Sequence, residues 1–254
     1  MRKYLLPSAV FFVAVLVYAE QKQGTNVAGS KVKDDHFDFM VFTQQWPETF
    51  RLQTGPEVQI PENVTGWTIH GIWPQQKSTL SGLQMKKDAP NFCNSSWHFN
   101  QSLIEDLRPQ MSLYWPNLIK TNNLWDHEWT KHGTCGASLP AIHGEHNYFA
   151  EGLRLNAKYN ITEMLASNHI VPDAEKAYSY NDVEGAIRKN VNNMSFVMQC
   201  YWDKEAHKQY IFQVMLCLDK QFGLLECDKY FLSEGDLCWT TKTIQYPPFQ
   251  YAFN

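Results

Sequence analysis

The chain has no excess of basic residues: 22 Lys and Arg stand against 26 Asp and Glu, a net charge of −4 with neutral His. Proteins that grip nucleic acid tightly and nonspecifically are strongly basic, so that mode of binding is excluded. No low-complexity segment, internal repeat or block of like charge marks a linker or a second domain. Beyond residue 19 there is no apolar run close to the ~20 residues that a bilayer span requires. Cysteine is absent from the first 92 residues.

What is present begins with Arg2 and Lys3, an apolar run from Leu5 to Val17 interrupted by Pro7, and Val17-Tyr18-Ala19. A basic start, a short apolar stretch and a small residue at the cleavage position read as a secretory signal peptide over 1–19. Residues 20–35 are polar and read as a flexible arm. Residues 36–254, rich in aromatics, are expected to form a single domain without a membrane span.

Without Arg2 and Lys3 the charge is −6, from 20 basic and 26 acidic residues. All nine His lie in the remaining part, so full protonation would bring it to +3 before any carboxylate titrates. An even set of six Cys in an exported chain reads as a disulfide framework, with fifteen possible pairings. Asn63, Asn94, Asn100, Asn160 and Asn193 each open an N-x-[ST] sequon, which marks candidate glycosylation sites on the surface.

Phe37, Phe39 and Val41 alternate as in a strand, and the runs Phe196–Tyr201 and Tyr210–Leu218 are strand-like. A helix capped by Ser102 and divided at Pro109, another over 123–132, two over 145–168 and one capped by Asn181 complete the reading. This mixed order predicts an α+β fold, an antiparallel sheet with helices packed mainly on one side.

Two segments carry the chemistry: Trp67-Thr68-Ile69-His70-Gly71-Ile72-Trp73-Pro74 and His127-Glu128-Trp129-Thr130-Lys131-His132-Gly133-Thr134-Cys135. Two imidazoles brought together exchange protons near neutral or mildly acidic pH, with Glu128 and Lys131 beside them to hold an anion. In RNA the 2′-hydroxyl sits next to the scissile phosphate, so such a pair needs no metal or cofactor, whereas DNA lacks the nucleophile. Gly71 allows close approach of substrate. Trp67, Trp125 and Trp129 are assigned to the core, and the remaining histidines, His143 and His146 among them, to the surface.

On a regular helix Glu128 and His132 share a face, while His127 and His132, five apart, are offset by about 140°. That offset speaks against zinc, whose helical motif needs histidines four apart. No metal site is therefore expected.

The two segments resemble the active-site blocks of the ribonuclease T2 family of secreted acid endoribonucleases. Phe39–Pro47 is similar to that family's first strand and Tyr114-Trp115-Pro116-Asn117 to the segment before its second block, so the resemblance spans most of the chain. It implies a secreted glycoprotein that cleaves single-stranded RNA through a 2′,3′-cyclic phosphate. His132 would be the base, His70 the acid, and Glu128, Lys131 and His127 would hold the phosphate. It also implies Trp73 as a stacking platform, with Gln45, Asn117 and Ile119 near the following base, and disulfides Cys93–Cys135, Cys200–Cys238 and Cys217–Cys227. Three features depart from the family pattern: Phe50 near the place of an additional disulfide, Gln75 where Asp is common, and Leu124 where an aromatic is common.

The expected partner is RNA, engaged by a monomer in the extracellular space or the endosomal or lysosomal lumen. The competing reading is a secreted signalling glycoprotein, bound through its glycans by a glycan-binding receptor, with ribonuclease activity secondary. The intact His70, Glu128, Lys131 and His132 favour the enzyme.

Overall fold

A computed structural model describes residues 36–77, 89–227 and 237–250. The signal peptide and arm expected over 1–35 lie outside these residues. The strands are β1 (Phe39–Gln45), β2 (Thr68–Gln75), β3 (Ala177–Tyr178), β4 (Val197–Asp203), β5 (Lys208–Leu218), β6 (Leu224–Leu225) and β7 (Ile244–Gln245). The helices are α1 (Pro47–Thr54), α2 (Arg108–Tyr114), α3 (Leu124–Glu128), α4 (Thr134–Gly136), α5 (Glu145–Lys158), α6 (Ile161–Ala166) and α7 (Tyr180–Arg188).

The strands form one sheet in the order β2-β1-β5-β7-β3, with β4 and β6 also paired to β5. Pairing is antiparallel except between β5 and β7, which run parallel, so the sheet is mixed where a purely antiparallel one was expected.

β1 is central and buried along its whole length. Its alternation separates two apolar clusters, because successive side chains leave opposite faces of a strand. Met40 and Phe42, with Ile69, Ile72, Leu216 and Leu218 from the neighbouring strands, join the large core that includes Trp46, Trp115, Trp129, Tyr148 and Phe149. Phe39 and Val41 join Met215, Cys217 and Cys227 in a small cluster on the other face, with Trp73 packed against it. The α+β fold with helices mainly on one side is the observed architecture, and the thinly covered face carries the site.

Helix α5 shows how that core is filled. It buries Tyr148, Phe149, Gly152, Leu153 and Leu155, a stripe at helical spacing. Gly152 is required by Trp115, since a Cβ there would lie 2.3 Å from the indole ring. The Tyr148 hydroxyl donates to the carbonyl of Ile72 at 3.0 Å and ties the helix to β2.

Several boundaries differ from expectation for local reasons. Asn100, rather than Ser102, caps the first turn by accepting from the Ser102 amide, and a 3₁₀ segment Gln101–Leu107 precedes α2. Pro109 sits at the start of α2, where its missing N–H costs nothing, and so begins the helix instead of dividing it. Ser179, rather than Asn181, caps α7. The disulfides are Cys93–Cys135, Cys200–Cys238 and Cys217–Cys227, as the family resemblance implied. Asn63, Asn94, Asn100 and Asn193 are exposed and Asn160 is half-buried. Among the described residues no helix is long and apolar enough to cross a membrane.

Candidate active site

His70 lies on β2 at an irregularity in the strand pairing. Thr43 of β1 pairs with Gly71, but the next residue, Gln44, pairs with Ile69, so His70 is left out of the ladder. Such a bulge kinks the strand and re-aims the extra side chain. Here it lets Ile69 and Ile72 both face the core while His70 turns to the opposite face. The bulged backbone is secured by the core, because the Trp115 indole donates to the His70 carbonyl at 3.0 Å.

The second segment begins as helix α3, capped by Asn123, and then widens into a π turn at Trp129–Gly133 before α4. The amide of Thr134 reaches back five residues to the Trp129 carbonyl. A π turn inserts one residue into the helical repeat and is common at functional sites. It overturns the spacing argument made from a regular helix, since a five-residue step now returns to the same face. The rings of His127 and His132 lie 6.4 Å apart, and one donor atom from each of His127, Glu128 and His132 falls within 4.8 Å of the others. These three residues could therefore gather around a cation, and the histidine spacing does not exclude it.

The π turn is anchored from both sides. Trp129 is fully buried and packs on Tyr148, and a Cβ on Gly133 would sit 2.3 Å from its ring. Cys135 is bonded to Cys93, and the Phe92 amide donates to the Lys131 carbonyl at 2.9 Å. The Trp125 indole donates to the Trp115 carbonyl, which links the helix to the residue that holds the His70 bulge.

Trp73 joins the two segments. Its ring meets His70 edge-on at 5.1 Å and lies tilted against His132 at 5.5 Å, while its indole N–H donates to Glu128 Oε2 at 2.9 Å. The structure thus brings His70, Trp73, His127, Glu128 and His132 together. Lys131 acts electrostatically on both His70 and His132.

The electrostatics follow from burial beside positive charge. Burial, then His127 and Lys131, lowers the His70 pKa to about 4, against a hydrogen bond from Gln213 that raises it. Burial, then Lys131, His127 and His70, holds His132 well below the usual histidine range. His127 is also lowered, first by burial and then by Lys131. Burial raises Glu128 to about 8, even though the Trp73 hydrogen bond and Lys131 oppose the shift. At mildly acidic pH the site therefore holds a neutral carboxylic acid at Glu128 and neutral imidazoles at His70 and His132.

The residues expected near the bases are placed as follows. Trp73 is half-buried and its ring contacts both His70 and His132. Gln45 is buried at the end of β1, paired with Thr68 and Gln213. Asn117 accepts the Leu124 amide through Oδ1, closing the loop before α3. Ile119 bridges Val58 through its backbone and is half-buried.

Sequence reasoning did not single out Gln213, whose amide lies 3.1 Å from His70 Nδ1. Nothing in its own strand distinguishes it from the other glutamines. In sequence Trp115 stands out only as part of the Tyr114–Asn117 segment, and its bonds to His70 and Trp125 appear only in the fold. The core assignment of Trp67, Trp125 and Trp129 and the surface assignment of His143 and His146 agree with their burial.

Two histidine segments on one face of an α+β sheet, braced by buried tryptophans, define an endoribonuclease when set beside known proteins. Residues 37–227 match the Ribonuclease T2 family model. The chain is 38% identical to Ribonuclease Oy of Magallana gigas over 216 residues, 84% of this chain and 97% of the other. It is 31% identical to Ribonuclease T2 of Homo sapiens over 199 residues, 76% of this chain and 72% of the other. The structure of RNase NT in complex with 5′-AMP is similar with a TM-score of 0.70 at 30% identity, covering 84% of this chain and 100% of that one. The structure of human RNase T2 is similar with a TM-score of 0.63 at 29% identity, covering 84% and 99%. The chain belongs to the ribonuclease T2 family and is an endoribonuclease.

Proposed function

We propose that the enzyme cleaves single-stranded RNA by metal-independent transphosphorylation. His132 accepts the proton of the 2′-hydroxyl as its oxygen bonds to phosphorus. The bond from phosphorus to the 5′-oxygen breaks, and that oxygen takes a proton from the His70 imidazolium. The products are a 2′,3′-cyclic phosphate and a free 5′-hydroxyl. The observation that carries this reading is that the imidazoles of both segments pack against Trp73, whose indole N–H donates to the buried carboxyl of Glu128.

The surroundings of the two rings favour this division of roles. The Gln213 carboxamide at His70 Nδ1 raises the proton affinity of that ring, as an acid requires. His132 Nδ1 is buried with no hydrogen-bond partner among the described residues, and burial, with three cationic or potentially cationic neighbours, keeps the ring neutral, as a base requires. Glu128 accepts from Trp73 and, being protonated, donates to a phosphoryl oxygen. Lys131 and His127 offset the charge that grows on the pentacoordinate phosphorus. Trp73 offers a face to a base, with Gln45, Asn117 and Ile119 toward the next one. That RNase NT was solved with 5′-AMP supports a nucleotide site in the same fold.

The chain acts as a secreted or lysosomal glycoprotein, with 1–19 as its signal peptide and glycans on some of the five sequon asparagines. N-terminal sequencing and glycosidase treatment of the exported protein test this part.

Metal independence has a direct test. Cleavage should be unchanged in EDTA, and added zinc should inhibit, because a cation held by His127, Glu128 and His132 would take the lone pair that the base needs. Loss of cleavage in EDTA with recovery on zinc addition would overturn the mechanism.

The pH profile tests the assignment of acid and base. The profile of kcat/KM reports the free enzyme, and that of kcat the complex. With His70 at about 4 in the free enzyme, kcat/KM should fall on its alkaline side from acid pH onward. Bound phosphate favours the imidazolium, so the alkaline limb of kcat should lie higher than that of kcat/KM. Lys131→Met removes a charge that lowers both rings, so both limbs should move upward while the rate drops. Activity still rising above pH ~8, outside the unperturbed histidine range, would assign control to another group.

A further inference from the structure

We propose that Gln213 is a positioning residue for His70, whose carboxamide holds Nδ1 in both charge states and leaves Nε2 as the nitrogen presented to the substrate. The inference rests on the reading of His70 as the general acid. Gln213 lies on β5, 143 residues from His70 in sequence, with β1 between their strands. It pairs with Gln45 on one side and Gln199 on the other, and is only 5% exposed. Its side chain meets His70 because the bulge in β2 turns that imidazole onto the face of the sheet from which Gln213 projects.

A carboxamide carries a donor and an acceptor on one planar group. With a neutral ring, the Gln213 N–H donates to the Nδ1 lone pair, which places the ring proton on Nε2. With an imidazolium, the amide turned by half a revolution offers Oε1 to Nδ1–H. In both states Nε2 is the nitrogen presented to the substrate, and Nδ1 keeps a partner as the acid alternates between them.

The charged groups around the ring show why such a partner matters. From α3 and the π turn, His127 and Lys131 disfavour charge on His70, and His132 is coupled to it with the same sign. Glu128, raised by burial, supplies no full counter-charge at mildly acidic pH. Trp73 of β2 meets the ring edge-on and carries no charge. Among the groups acting on His70, Gln213 supports the charged form. Glutamine is suited to the task, because a carboxylate would hold the proton too firmly for transfer.

The test follows His70 by ¹⁵N and ¹³C NMR titration in the wild type, Gln213→Met and Gln213→Glu, beside the pH profile of kcat for RNA cleavage. Gln213→Met should lower the His70 pKa by about one unit, and Gln213→Glu should raise it by one or more. The alkaline limb of kcat should move in the same directions, with KM within about twofold of wild type and kcat at the Met variant's optimum about tenfold lower. In the wild type, Nδ1 should give the shift of one hydrogen-bonded state; a tautomer average like that of free imidazole overturns the proposal even if neither variant folds. Unchanged His70 titration in a folded variant also overturns it. If the titration moves but the kinetic limb does not, the contact stands while the role of His70 as acid falls.

Discussion

Replacing His132 or His70 by Phe is expected to lower kcat by at least about 10²-fold, the least that loss of a general acid or base normally costs. Phe fills a similar volume, so the packing of each ring against Trp73 is largely kept. The two variants should differ in stability. His132 Nδ1 has no hydrogen-bond partner among the described residues, so its replacement breaks no bond seen at that atom. Replacing His70 strands the Gln213 amide, which is buried, at a cost of about 1–3 kcal/mol. Because both rings act in one step, the double variant should lose far less than the product of the single losses. Steady-state kinetics on single-stranded RNA, with circular dichroism and thermal melts as controls, decide the matter. Near wild-type turnover in either folded variant would show that its histidine has been assigned wrongly.

Gly71→Ala should be nearly as damaging although it removes no functional group. The added Cβ would stand 2.1 Å from Glu128 Oε2 and 2.2 Å from Trp73 Nε1. Both distances are far below contact, and those two atoms form the hydrogen bond that joins the halves of the site. Trp73 packs against both imidazoles and Glu128 is 1% exposed, so neither withdraws without moving a histidine. A displacement near 1 Å at reacting groups can cost about 10²-fold, and that is the loss expected here. Gly185→Ala is the control, since its Cβ would meet nothing within 4 Å and it lies inside helix α7. That variant should keep full activity and gain roughly 0.5–1 kcal/mol in stability from the better helix former. A Gly71→Ala enzyme with unchanged kcat would mean that the Trp73–Glu128 contact is unimportant to the chemistry.

The chain's family was legible in its residues, because His70, Glu128, Lys131 and His132 sit in two ordered blocks whose composition is specific. So were the sheet and the helix-rich layer, since alternation on β1 and the apolar stripe on α5 are periodic signals that local sequence carries. The burial of Trp67, Trp125 and Trp129 agrees with their reading as core residues.

Tertiary structure decided the geometry of the chemistry. The sequence read as a regular helix puts His127 and His132 on different faces; burial of Trp129 against Tyr148 and the tether at Cys135 accompany a π turn that brings them together. No local pattern announces an inserted helical residue, because it depends on partners far along the chain. The bulge at His70 has the same character, with its carbonyl met by Trp115 and its ring by Gln213, 45 and 143 residues away. Burial then set the protonation states, since a histidine or glutamate looks alike in sequence whether it is solvated or enclosed beside a lysine. Residue types and their order belong to the sequence; their distances, and so their proton affinities, arise only when distant segments close on one another.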